Sequence, residues 1–439
     1  MKGVGSRPSI VQASLLFGAG CLALGLGIGL GPPYLTKAGF DLVTVTGLAV
    51  LTAGLVLLAV GGATLVRVAR TWRRVLLVPV LLAAMATAAL SIGQAVAATN
   101  VPPTPLGSTT PADSGLTFAD VTFPTTDEVA LSGWYVPSRN RAAVVLLHGA
   151  GSTRSSVLDH AAVLAQHGYG VLLFDARGHG RSDGRAMDFG WYGDEDVRAG
   201  VSFLQTRPDV DDELIAAVGL SMGGEEAIGA AAGDRRIRAV VAEGATHRTA
   251  ADRAWLSDEF GWRGTLQEGL DRLTYGITDL LTAARQPSAL RDAVAATAPR
   301  KVLLIAAGDR ADEVTAGRYI QSAAAGSVDL WISPGTGHTD ALRTHPREWE
   351  QRITAFLEPA LRAASGCPAG QANNRKQSKR GVQLGPIQSS PEVVDKPSHQ
   401  MPRSQSPKVR CRRLGRFESV LKVASGRLGA TIGSTWSCG

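Results

Sequence analysis

Leu214-Ile215-Ala216-Ala217-Val218-Gly219-Leu220-Ser221-Met222-Gly223-Gly224 joins a short apolar run to a serine flanked by glycines. The run reads as a buried strand, and G-x-S-x-G directly after it is the place where a serine is raised on a tight strand-to-helix turn. Gly219, Gly223 and Gly224 suit such a turn, because it strains the serine backbone and a nearby Cβ would meet the following helix. The chain has 51 glycines, so the pentapeptide can arise by chance and takes its weight from its surroundings.

Working outward, apolar runs predict strands at Leu116–Phe123, Val129–Val136, Ala142–Leu147, Gly170–Phe174, Ile215–Val218, Ile237–Ala242, Lys301–Ala306 and Val328–Ile332. The first two have no helix between them and predict an antiparallel pair. The later ones alternate with helical patterns such as Val157, Ala161, Leu164, Ala165 and Val197, Val201, Leu204, which predicts a mostly parallel sheet with helices on both faces. Between Gly244 and Pro299 the strand pattern stops for about 55 residues, against roughly 2 to 6 for an ordinary connection. That stretch predicts a helical insertion at about 245–299. Its Trp255, Phe260, Trp262, Leu266, Leu270, Leu273, Tyr275, Leu280 and Leu281 either pack on the sheet or wall an active site. Glu348–Leu361, with Trp349, Ile353, Phe356 and Leu357 on one stripe, reads as a closing helix.

A serine hydroxyl is a weak nucleophile at neutral pH and needs a base, itself oriented by an acid. His338, in Gly335-Thr336-Gly337-His338 after the last strand, is the expected base. The acid is expected after Lys301–Ala306, in Gly308-Asp309-Arg310-Ala311-Asp312-Glu313. Asp312 is the preferred residue, with Asp309 and then Glu313 as alternatives. Backbone donors for a tetrahedral oxyanion are expected from the N–H of Met222 and from His148-Gly149-Ala150-Gly151, where Ala150 is favoured. His148 and His179 read as residues that fix loops. Neither a metal nor an organic cofactor is implied.

Four segments in this order, Val144-Val145-Leu146-Leu147-His148-Gly149, Asp175-Ala176-Arg177-Gly178-His179-Gly180-Arg181-Ser182, Gly219–Gly224 and Gly337-His338, carry a resemblance. Residues 116 to 361 resemble the alpha/beta hydrolase superfamily, in its serine aminopeptidase-like and lysophospholipase-like branch, which includes membrane-anchored members. The resemblance implies an α/β fold with an eight-stranded sheet, a Ser-Asp-His triad and acyl transfer to water through an acyl-enzyme. The acid loop departs by one residue from the commoner Gly-x-x-Asp spacing. Residues 1–115 and the C-terminal tail lie outside the resemblance.

Pro8–Thr36, Leu42–Val66 and Val75–Ala98 contain no charged residue, and each is long enough to cross a bilayer. They predict a three-helix transmembrane anchor over residues 1–98. Arg67, Arg70, Arg73 and Arg74 lie between the second and third stretches, with Lys2 and Arg7 before the first. That bias puts those loops in the cytoplasm and everything after Ala98 on the other side. Gly25, Gly27, Gly29 and Gly31 offer small-xxx-small spacings for close helix approach. Ala95-Val96-Ala97 has the A-x-A form of a signal-peptidase site, which would release the rest of the chain if cut.

Residues 99–115, rich in Pro, Thr and Ser, read as a linker, and residues 116–365 as the hydrolase-like domain. The formal charge of +7 is unevenly spread. Lys/Arg against Asp/Glu number 7 to 1 in residues 1–98, 25 to 34 in the middle, and 13 to 3 in the tail at 366–439. An acidic middle gives no footprint for nucleic acid. The tail reads as basic and disordered. Cys21 falls in the first apolar stretch and Cys367, Cys411 and Cys438 in the tail, so the middle needs no disulfide. Together these features lead to the expectation of a membrane-anchored serine hydrolase acting on a small-molecule ester or lipid-like substrate. A catalytically silent binding protein of the same fold, and a non-hydrolytic enzyme of the same fold, are the alternatives.

Overall fold

The computed structural model describes residues 9–185 and 188–362. The basic tail and the N-terminal Lys2 and Arg7 lie outside the described residues. Helices α1 (Ile10–Lys37), α2 (Leu42–Val68) and α3 (Thr71–Thr99) are each long and apolar enough to cross a membrane. A π turn at Ala88–Ile92 interrupts α3. Glycine lets these helices touch: a Cβ on Gly47 of α2 would lie 2.6 Å from the Gly31 nitrogen of α1. On another face of α1, a Cβ on Gly29 would lie 2.6 Å from Val96 Cβ of α3. The small residues foreseen in the first span thus sit at helix crossings.

All eight expected strands form, and they make an eight-stranded sheet. They are β1 (Ala119–Pro124), β2 (Ala130–Val136), β3 (Ala143–Leu147), β4 (Gly170–Phe174), β5 (Ile215–Leu220), β6 (Ile237–Glu243), β7 (Lys301–Ala307) and β8 (Val328–Ser333). The order across the sheet is β1-β2-β4-β3-β5-β6-β7-β8. β1 and β2 pair antiparallel, as do β2 and β4, and the remaining pairs are parallel.

The intervening helices are α4 (Leu158–Gln166), α5 (Gly193–Leu204), α6 (Met222–Gly233), α7 (Leu256–Phe260), α8 (Trp262–Leu281), α9 (Leu290–Thr297), α10 (Ala311–Gln321), α11 (Ala341–Thr344) and α12 (Pro346–Arg362). Alternate strand residues feed two cores. Val145, Leu147, Leu172 and Phe174 pack with Val197, Val201, Ile228, Leu290 and Ile320 of α5, α6, α9 and α10. Val144, Leu146, Leu173 and Val218 pack with Leu164 of α4 and with Trp349, Ile353 and Leu357 of α12. Both faces of the parallel strands are therefore covered, which is why these strands read as unbroken apolar runs rather than alternating ones.

Parallel strands bring their carboxyl ends to one edge of the sheet, where ligand sites of open α/β sheets form. Ser221 follows β5, the acidic loop follows β7 and His338 follows β8. The insertion between β6 and β7 consists of α7, α8 and α9 with a short 3₁₀ turn at Ala250–Arg253.

Candidate active site

Ser221 joins β5 directly to α6, with φ 53° and ψ −124°. A left-handed φ at a non-glycine residue is strained and has to be held by its surroundings. The Ser221 N–H donates to the Glu243 carbonyl at 2.7 Å, tying the turn to the end of β6. No Cβ fits at Gly219, where it would lie 2.2 Å from the Gly223 carbonyl oxygen. The turn sets Ser221 at the carboxyl end of β5.

The imidazole of His338 reaches this hydroxyl, with Ser221 Oγ 3.0 Å from His338 Nε2. On its other side, His338 Nδ1 donates to Glu313 Oε1 at 2.6 Å, which fixes the tautomer and leaves Nε2 free to accept from serine. Glu313 is 3% exposed, and its Oε2 accepts from the Ala307 N–H at 3.0 Å. The hydrogen bond to the Glu313 carboxylate holds the His338 pKa above its ordinary value against the opposing effect of burial, with the carboxylate charge adding to the rise. The ring stays 41% exposed, so a substrate can reach it.

The structure corrects the expected acid. Asp312 does not face His338; its carboxylate takes hydrogen bonds from Arg310 Nε and Nη2, both at 3.3 Å, and its side chain is 56% exposed. Asp309 is also exposed, and its N–H donates to the Thr336 carbonyl at 3.2 Å. The reason lies in where α10 begins. With Ala311 as its first residue, each further residue turns the side chain by about 100°, so Asp312 points to solvent and Glu313 turns inward. The extra methylene of glutamate then spans the added distance.

The loop after β3 closes over the serine. A Cβ on Gly149 would lie 3.2 Å from Ser221 Cβ, and Ala150 packs against Met222 and Ala176. Met222 is the first residue of α6, where an N–H has no partner within its helix. Among the described residues, neither the Met222 nor the Ala150 N–H donates to a protein acceptor. His148 and His179 have the loop-fixing positions expected of them. His148 Nε2 accepts from the Ala176 N–H at 3.0 Å, and burial lowers both imidazoles to about 4.

Three positions at the site were not singled out from the sequence. Gly244, at φ 72°, lies against the imidazole, and a Cβ there would approach His338 Cε1 to 2.8 Å. Glu243 ends β6 as a buried carboxylate that accepts from the Ala341 N–H at 2.9 Å and from Trp349 Nε1 at 3.1 Å. It thereby braces the segment that carries His338, and an acidic residue closing an apolar run was the available clue. Lys37, at the end of α1, donates at 3.4 Å to Thr104 Oγ1 and to the Gly151 carbonyl beside Ala150. Thr104 itself pairs with His179 as an isolated β-bridge, and its carbonyl accepts from the Gly180 N–H at 2.8 Å. The segment after α3 is thus strapped to the loops around the serine.

A strained serine at the end of the central parallel strand, within this strand order, coincides with a match of residues 138–295 to the family model described as serine aminopeptidase, S33. The domain has the alpha/beta hydrolase fold. Its relatives include the thiohydrolase aneE of Aspergillus aculeatus, 37% identical over 129 residues, or 28% of this chain and 41% of that protein. The polyketide transferase grgF of a Penicillium species is 34% identical over 138 residues, or 29% of this chain and 45% of that one. The chain spans less than half the length of these curated relatives. Among solved structures, an esterase of Pyrococcus furiosus is similar at 27% identity and a TM-score of 0.49, covering 60% of this chain and 98% of that one.

Proposed function

We propose that this alpha/beta hydrolase is a membrane-anchored serine hydrolase that cleaves carboxylic esters, thioesters included, through an acyl-enzyme on Ser221. The observation that carries this reading is the continuous relay from Ser221 Oγ to His338 and on to buried Glu313. Ser221 Oγ attacks the substrate carbonyl as its proton passes to His338 Nε2. Glu313 keeps Nδ1–H in place and stabilises the imidazolium that forms. The Met222 and Ala150 N–H groups receive the oxyanion. His338 then returns the proton to the leaving alcohol or thiol, and the same imidazole activates the water that releases the acid.

Labelling with a fluorophosphonate probe tests the chemistry. The folded protein labels and Ser221→Ala does not; equal labelling of both, or none of either, favours the catalytically silent reading. Turnover of p-nitrophenyl esters of graded chain length separates hydrolysis from a non-hydrolytic reaction on the same fold. The polyketide transferase among the relatives makes an acceptor other than water a specific alternative, detected as an ester product when alcohols are added.

Anchoring rests on the length and apolarity of α1, α2 and α3, and the orientation on the arginines between α2 and α3. The hydrolase domain then lies outside the cytoplasm. Alkaline phosphatase fused after Leu361 is active in that case. A silent phosphatase together with a fluorescent cytoplasmic reporter at the same position reverses the topology.

A further inference from the structure

The insertion helix α8 has its amphipathicity turned inside out. Its inward face is largely polar: Glu268 accepts from the Ser257 N–H at 2.8 Å, Asp271 pairs with Arg253 at 3.1 Å, and Thr274 and Thr278 are buried beside them. Its outward face is apolar, with Trp262 73%, Leu266 59%, Leu273 43% and Leu280 84% exposed. Spaced 4, 7 and 7 residues apart, these four fall within about 40° of one another around the helix. Scattered exposed apolar residues are ordinary, but an aligned stripe about five turns long on a helix with a polar core side marks a surface that meets something apolar.

What it meets is indicated by its neighbour. α8 packs against the last turns of α3, where Ser91 Oγ donates to the Leu270 carbonyl at 3.4 Å. From Arg74, at the basic end of α3, to Ser91 is about 26 Å of helix, close to the roughly 30 Å thickness of a bilayer's hydrocarbon core. Leu270 is thereby level with the outer boundary of the region that α3 crosses. Trp262 beside Arg263, whose guanidinium lies 5.5 Å over the indole, is the residue pair suited to the headgroup layer.

We infer that the outward face of α8 lies in the outer boundary of the bilayer, making the insertion a membrane-interfacial element and its occupant lipid. The inference rests on the membrane-anchored reading of the function. Packing connects this element to the active site. Tyr275 of α8 stacks over Trp191 with centroids 6.3 Å apart and tilts against Phe189, and Gly190 packs on Met222 next to the serine.

The test uses the full chain in nanodiscs of phosphatidylcholine and phosphatidylglycerol, with Cys21, Cys367, Cys411 and Cys438 replaced by serine. A single cysteine at Leu273→Cys or Leu280→Cys carries an environment-sensitive NBD label. Leu55→Cys on α2 serves as the lipid reference and Gln351→Cys on α12 as the water reference. Doxyl-labelled lipid should quench the α8 labels at least twofold more than the Gln351 label, and iodide should quench them severalfold less. Leu280 touches little protein, so that variant folds even where Leu273→Cys does not. Iodide quenching of the α8 labels at the level of Gln351, with Leu55 still quenched by lipid, overturns the inference and leaves the anchor standing. Protection from both quenchers means that a second copy of the chain covers the stripe, which also overturns it. If Leu55 is itself quenched by iodide rather than lipid, the anchor reading falls and the inference with it.

Discussion

Replacing Glu313 with glutamine keeps a hydrogen-bond acceptor of nearly the same size but removes the charge that supports the imidazolium. With Glu313→Gln we expect kcat on a p-nitrophenyl ester to fall about 10³- to 10⁴-fold, the scale seen when a triad acid is neutralised. Asp312→Asn, at a solvent-facing residue, should change kcat by less than about twofold. The reverse ranking would return the role to Asp312. The pH profile offers an independent check. Because His338 is held above its ordinary pKa chiefly by the Glu313 hydrogen bond, the wild-type rate falls on the acid side through a value above the usual histidine range. Residual activity of Glu313→Gln should decline at lower pH, since the support for the protonated ring is gone. At Gly244, an alanine needs both a left-handed backbone and room already filled by His338 Cε1 at 2.8 Å from its Cβ. Displacing the imidazole by about an ångström should cost on the order of 10²-fold in kcat with the fold intact by circular dichroism. An unchanged kcat there would mean that the ring has slack the structure does not show.

Between elements, Glu225 links the nucleophile helix α6 to the segment after β6. Its Oε1 accepts from the Thr246 N–H at 2.9 Å and the His247 N–H at 3.0 Å, and burial raises its pKa to about 7 despite them. A folded-state pKa above the unfolded one gives a contribution that is complete at acidic pH and lost as pH rises through 7. Glu225→Gln retains the accepting oxygen and never ionises. Its Tm relative to wild type should therefore improve from pH 5.5 to pH 8.5, at about 2–4 °C for each kcal/mol recovered. A difference independent of pH would show that Glu225 is charged throughout. At this scale the strands were legible and the acid was not. Val144-Val145-Leu146-Leu147 and Ile215–Val218 are buried on both faces, so their strand character is written in unbroken apolar runs. The choice between Asp312 and Glu313 depended on the residue at which α10 starts, and Arg310-Ala311 carries no capping side chain to mark it. For the insertion, composition revealed an apolar surface that includes Trp262, Leu266, Leu273 and Leu280. It could not tell whether that surface faces the sheet, because the sign of an amphipathic helix is set by its neighbours rather than by its own sequence.

Across the whole molecule, Lys37, Thr104 and His179 strap the chain between the spans and the hydrolase, so the serine is not a weight on a loose string. The distance between Ser221 and the plane of the spans is set by protein contacts instead of by the reach of a random coil. An enzyme held at one height meets only substrates that come to that height. If α1, α2 and α3 cross a bilayer as proposed, its kinetics belong to two dimensions: what governs the rate is how many substrate molecules occupy a unit of lipid area, not how many occupy a unit of volume. Diluting a lipophilic ester with inert phospholipid at constant bulk concentration should therefore lower the initial rate in proportion to its mole fraction. A rate that instead follows bulk concentration would mean the substrate arrives through water.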